Sequence, residues 1–231
     1  MGLKLVPAKH ADMHEMVEVV YIANSDPRDP FVDLCLPGLG DWSSSTLEEG
    51  IDEVTKNYLE EWKASSTQTW LKVVDENTGK ITSVSRWELH EKNPFADGLP
   101  HINAAWLPEG SKIREYAEWL INTRYGQASE RCQSPHVWLD ICATLPEFRR
   151  RGAASQALQW GINKADEMDV EAFIEASIEG AQLYERFGFR TIHIMDLRKE
   201  ATEDQEWASL AEEYPLHYRW MEREKKSNRN V

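Results

Sequence analysis

One abrupt change of hydrophobic period constrains this chain more than any other feature of it. Over residues 137–144 apolar and polar side chains alternate, which assigns Val137, Leu139, Ile141 and Ala143 to one face of a half-buried strand and Trp138, Asp140, Cys142 and Thr144 to the other. From Ala154 onward the apolar positions recur at helical spacing, through Ala157, Leu158, Gly161, Ile162 and Ala165. A strand therefore feeds a helix through residues 146–152, and that turn holds Arg149, Arg150 and Arg151.

Basic residues are out of place there. A helix N-terminus leaves backbone N–H groups unpaired and carries about half a positive charge, so its first turn favours Asp or Glu. Three arginines destabilise it unless an anion answers both them and the free N–H groups, and a phosphate does so most simply. Gly152 lets the backbone approach such a group with no Cβ in the way. Arg149, Arg150, Arg151, Gly152, Ala153, Ala154 and Ser155 thus form a candidate anion site.

Two segments carry a resemblance. Arg149-x-x-Gly152-x-Ala154, after the turn Thr144-x-Pro146, is similar to the acyl-CoA signature of the GNAT-type N-acetyltransferases, and Leu183-Tyr184-Glu185-Arg186-Phe187-Gly188-Phe189 resembles a second signature of that family at the expected distance. The resemblance covers about residues 137–195. It implies an α/β (α+β) fold with a mixed, mostly antiparallel central sheet and helices on both faces. It also implies acetyl-CoA as co-substrate, an amine as acceptor and no metal. The pantetheine arm would pair with the central strand at Ile141, Cys142 and Ala143, and Tyr184 would protonate the departing thiolate. Ser177 stands where the family often has Asn, and with Gln182 it completes the implied carrier-binding set.

No Ser/Gly-rich or Pro-rich linker interrupts the 231 residues, so one domain over 1–231 is expected, with a helical insertion around 91–130 and an acidic extension over 200–231. A formal charge of −14 argues against nucleic acid or an anionic membrane as partner and suits a cationic acceptor. Cys35, Cys132 and Cys142 show no C-x-x-C spacing, and no N-terminal apolar segment marks a leader, which together suggest a soluble protein of the cytoplasm, or of the nucleus, as monomer or homodimer. His90 and His101 lack metal-ligand spacing. No Gly-x-Gly-x-x-Gly follows a strand, which excludes a dinucleotide-binding fold.

Along the chain, Leu3 to Val6 alternate like a strand, and Met13, Met16, Val17 and Val20 mark a helix capped by Asp12. The Pro- and Gly-punctuated loop over 24–43 is a plain connector or, as the resemblance implies, a substrate lid. Ser45 and Glu48 read as a capping box, and two strands with hairpin chemistry over 75–80 follow, the second ending near Glu88, a candidate general base but more commonly an exposed edge carboxylate. Ser111 can cap a helix that shapes acceptor choice. Later come a strand over 172–177, a short helix over 180–187, a strand over 191–195, a last strand within 214–221 and a frayed end from Lys225.

Acyl transfer to an amine needs an anchored carrier, a polarised carbonyl, a neutral amine and a proton for the leaving thiolate. Tyr184 suits the last role, because a phenol's pKa of about 10 lies close to that of a simple thiol. For the base, Asp140 comes first, with Glu175 and His193 as alternatives. Cys142 has no His placed to form a dyad, so direct transfer in a ternary complex to a small-molecule amine or free amino group is expected over an acyl-enzyme. The alternatives are a non-catalytic acyl-CoA-binding regulatory module and a protein N-acetyltransferase.

Overall fold

The computed structural model describes residues 2–40, 45–197 and 204–230. Seven strands form one sheet: β1 (Leu3–Pro7), β2 (Gln68–Asp75), β3 (Ile81–His90), β4 (His136–Thr144), β5 (Glu171–Ala176), β6 (Arg190–Asp196) and β7 (His217–Arg223). Their order is β1-β2-β3-β4-β5-β7-β6, antiparallel throughout except for the β4–β5 pair. A parallel pair needs a crossover, and α5 (Ala153–Met168) supplies it. The mixed, mostly antiparallel sheet expected from the sequence is therefore the one observed.

Helices cover both faces. Trp70 and Leu71 are neighbours on β2 and so point to opposite sides: Trp70 packs among residues of α1 (Met13–Ser25) and α3 (Leu47–Ala64), Leu71 among those of α5 and α6 (Ile178–Arg186). The α1 face continues under α2 (Pro30–Cys35), α4 (Lys112–Arg131) and α7 (Gln205–Glu213), where Leu34, Tyr116, Leu120 and Ala211 pack with Trp138, Phe173 and Trp220. The stripe read on α5 is buried as expected except at Ala154, which is half-buried, while Ala153 is buried. Gly161 is the point of closest approach: a Cβ there would sit well inside van der Waals contact with the Trp87 ring.

The strict alternation expected for β4 fails in mid-strand. Arg86 lies opposite Ile141 but Trp87 opposite Leu139, so Asp140 is an extra residue on β4, a β-bulge. One added residue inverts the parity. Val137 and Leu139 consequently pack on the α5 face, Ile141 and Ala143 on the α1 face, and Cys142 on the α5 face. A single face for Val137, Leu139, Ile141 and Ala143 is thus corrected.

Other expectations shift. The capping box belongs to Thr46 and Glu49, whose side chains each accept from the other's backbone N–H at 3.3 and 2.8 Å, one residue beyond Ser45 and Glu48. The 24–43 loop folds in part into α2, capped by Asp29, whose Oδ1 accepts from Phe31 N at 3.0 Å; positions 41–44 lie outside the described residues. In the 91–130 insertion only α4 is helical. The C-terminal strand does form, and β7 inserts between β5 and β6. The end expected to fray is a 3-10 turn over Lys226–Asn230, tied down where Ser227 N donates to Asp169 Oδ1 at 2.8 Å; Val231 lies outside the described residues. Among the described residues no helix is long and apolar enough to cross a membrane.

Candidate active site

β4 and β5 part company where the bulge begins. Their pairing runs from His136 opposite Glu171 to Leu139 opposite Ile174 and stops, whereas on its other edge β4 stays paired with β3 out to Thr144. Residues 140–144 therefore present an open strand edge toward β5, and Ile141, Cys142 and Ala143 lie along it. Backbone N–H and C=O groups on such an edge are free to take an extended chain as a guest strand.

At the end of that edge stands the turn into α5. Gly152, the N-cap residue, has φ of +88°, a left-handed conformation that glycine adopts without strain, and no side chain caps the helix. The N-terminal N–H groups of α5 thus have no side-chain cap. The three arginines are not equivalent. Arg149 turns inward, donating from Nε to Thr144 O at 3.2 Å and from Nη to Ala23 O at 2.7 Å, so its guanidinium builds the turn by joining β4 to α1. Arg150 and Arg151 are exposed, and Arg151 lies over the Phe148 ring at 5.1 Å.

Across the split, α6 brings Tyr184 to Cys142. Tyr184 is 8% exposed, and burial, then its hydrogen-bonded contact with the Cys142 thiol, raises its pKa well above that of a free phenol. It therefore stays a proton donor at neutral pH. Burial also pushes the Cys142 thiol up to about 11, with the Tyr184 hydrogen bond opposing, so the group is a thiol rather than a nucleophilic thiolate. Ser177 caps α6 by accepting from Gly180 N at 3.1 Å, which leaves its hydroxyl proton free to donate. Gln182 is exposed on α6.

On the opposite face a chain of buried charge spans the split. Arg86 donates to Asp140 from Nε at 2.7 Å and again from Nη, and reaches Glu61 at 3.1 Å. Its guanidinium lies 5.1 Å from the Tyr58 ring and 5.4 Å from that of Trp70. Arg124, from α4, contacts Asp140 at 3.5 Å and pairs through Nε with Glu175. One guanidinium thus bridges the two strands just past their last paired residues.

The carboxyls titrate in opposite directions. Burial works to raise Asp140, but Arg86 and then Arg124 hold it below the usual carboxylate value. Burial raises Glu175, and Arg124 alone does not offset it; its Oε1 is buried without a hydrogen-bond partner. His193 is not brought to this cluster: it lies on β6, the outermost strand, and the charges that act on it are Arg131 and Glu130.

A cavity of about 350 Å³ opens beside the bulge. Phe95, Tyr125 and Trp138 form its apolar walls, and Pro94 and Pro100, from the insertion, border it. Arg86 and Asp140 line it at the bulge, Glu88 and His90 further along β3, the latter two 3.0 Å apart. Sequence reasoning weighed Glu88 as a general base or an exposed edge carboxylate; β3 is interior to the sheet, and Glu88 is half-buried in the lining of this cavity. It missed both bridging arginines. Arg86 had left a signal, a charge among the buried Ile81, Val84 and Trp87 of one strand; Arg124 left none. Among the described residues no three His, Cys, Asp or Glu side chains cluster to hold a metal.

The family model described as acetyltransferase (GNAT) family matches residues 53–189, more than half of the 231. Among curated proteins, none matches this sequence. Three solved structures illustrate the fold. A mosquito arylalkylamine N-acetyltransferase (like 5b) is 15% identical with a TM-score of 0.63, covering 96% of this chain and 99% of its own. A histone acetyltransferase HPA2 and related acetyltransferase from Corynebacterium glutamicum is 20% identical with a TM-score of 0.57, covering 97% of each chain. A phosphinothricin acetyltransferase from Sinorhizobium meliloti, in complex with AcCoA, is 12% identical with a TM-score of 0.53, covering 97% and 89%.

Proposed function

The chain belongs to the GNAT family of acetyltransferases, and from that premise we propose that it moves an acetyl group from acetyl-CoA to the amine of a small molecule by direct transfer. The observation that carries this reading is a coincidence in β4: bulge, split from β5 and the approach of Tyr184 all fall within residues 139–142.

The residues present fit the carrier. The uncapped α5 terminus, with Gly152 and the exposed Arg150 and Arg151, would hold its phosphates, and the open edge at Ile141, Cys142 and Ala143 its pantetheine arm. When bound, acetyl-CoA supplies an electrophilic thioester. A backbone N–H of β4 at the bulge polarises the thioester carbonyl as charge develops on its oxygen. The amine nitrogen forms the new C–N bond as the C–S bond breaks, and Tyr184 gives its proton to the departing sulfur. The proton lost by the amine leaves toward the Asp140–Glu175 pair. Glu175 holds a proton more readily than Asp140, whose two arginines keep it ionised as a fixed negative charge beside the incoming ammonium.

A cavity of only about 350 Å³ suits a small acceptor better than a protein chain. The test is a thermal-shift titration with acetyl-CoA followed by CoA release over a panel of amines. Protection by acetyl-CoA without release for any amine would reduce the protein to a carrier-binding module, and no protection at all would sink the anion site.

A further inference from the structure

The far end of the cavity carries a charge that the transfer chemistry does not use. Glu88 lines it beside Phe95, Tyr125 and Trp138, its side chain 22% exposed. Its ion-pair partner among the described residues is His90, 9% exposed, whose Nε2 lies 3.0 Å from Oε2; no lysine or arginine nitrogen pairs with it there. Arg86, the cation sharing the cavity, hydrogen-bonds Asp140 and Glu61 and acts on Glu88 only through space. His90 is itself held from behind, its ring 4.8 Å from that of His136, so the Glu88 carboxylate is kept in one orientation.

Position separates Glu88 from the reacting atoms. It sits on β3 opposite Trp138, two residues before the bulge, and the open edge of β4 faces the other way, toward β5. With strands about 4.8 Å apart and residues about 3.3 Å apart, Glu88 lies roughly 10 Å from that edge. An amine placed for attack on the thioester is therefore out of its reach. A carboxylate left in an aromatic-walled cavity calls for a cation, which both pairs with the charge and lies favourably against ring faces.

We propose that the acceptor is a diamine-type molecule whose second cationic group is bound at the far end of the cavity by Glu88, with His90 fixing the carboxylate. This deepens the acetyl-transfer reading and rests on it. Glu88 is a specificity residue here: it grips the end of the acceptor that does not react, so its contribution falls on KM and on the choice between acceptors.

The probes are 1,5-diaminopentane and pentylamine, which differ by the second amino group. For the wild type, kcat/KM for the diamine exceeds that for pentylamine by tenfold or more, mostly through KM. Glu88→Gln, which keeps shape and the contact with His90, costs the diamine at least tenfold more than the monoamine, and Glu88→Asp restores part of the preference. A wild type with no preference, or a ratio unmoved by Glu88→Gln, overturns the proposal while leaving acetyl transfer intact. Calorimetric titration of 1,5-diaminopentane into the CoA-saturated protein reads the same site without turnover. Should neither amine be acetylated, a tenfold loss of diamine affinity in Glu88→Gln upholds the cation site and rejects the transfer reading. Unchanged or absent diamine binding then overturns both.

Discussion

The two sides of the β4–β5 split are built from different materials. The carrier side is mostly main chain: a bare strand edge, an uncapped helix end beside the exposed Arg150 and Arg151, and a phenol against a thiol. The acceptor side is a run of ionic side chains from five elements, the exposed Glu61 and the largely buried Arg86, Asp140, Arg124 and Glu175. A constant ligand can be met by main-chain geometry, which barely depends on residue type. A variable one has to be met by side chains, and burying their charge demands that every partner be present.

Replacing one member of the ionic run gives the sharpest test of that contrast. Arg124→Met strands the buried Glu175 and takes from Asp140 the second of its two arginines, and should cost about 3–5 kcal/mol in urea unfolding. Arg149→Met on the carrier side removes hydrogen bonds to two carbonyls and should cost only about 1–3 kcal/mol. Equal losses would erase the distinction.

Chemistry comes next in size. Tyr184→Phe should lower kcat by roughly a hundredfold or more while acetyl-CoA affinity by calorimetry moves less than threefold. A fall in affinity as large as the fall in kcat would make Tyr184 a wall of the carrier site and not its acid. Gly152→Asp, which adds a negative charge and a side chain at φ of +88°, should weaken acetyl-CoA binding by more than tenfold and leave amine KM little changed. Unaltered carrier affinity removes the anion site from α5.

The smallest effect is one of sign. Glu175 is raised in the folded protein, so its stabilisation is present below its ordinary value near 4.5 and is lost as pH climbs through the folded value. Asp140 is lowered, so its stabilisation is present above its ordinary value near 3.8 and is lost as pH falls through the folded value. In stability-versus-pH curves Glu175→Gln should therefore flatten the decline on the alkaline side of 4.5, and Asp140→Asn the decline on the acid side of 3.8. Curves that change in the same direction would mean that Arg124 does not divide the pair as drawn.

How far the sequence could be read follows the same division. Local signals carried the strand–turn–helix around Arg149 to Ala154 and the Tyr184 segment, because period and turn chemistry are written in adjacent residues. Alternation alone cannot announce a bulge, so the faces of Ile141 and Ala143 came out inverted at the one residue, Asp140, where the strand breaks its rule. The bridge from Arg124 to Asp140 and Glu175 joins residues 16 and 51 positions apart, and no short window contains it. The inward turn of Arg149 was hidden for a similar reason: its acceptor Ala23 lies 126 residues away.

The place of β7 has a consequence for how the protein is born. β5 takes its second neighbour from His217–Arg223, which is translated after every other strand of the sheet. While that segment is still inside the ribosome, strands β1 to β4 can zip together in order, but β5 is left with one flank bare and β6 with nothing to hold on to. The far wall of the cleft is thus finished only once β7 has emerged, so a nascent chain halted short of β7 would carry a half-built pocket and a sticky margin that chaperones must cover.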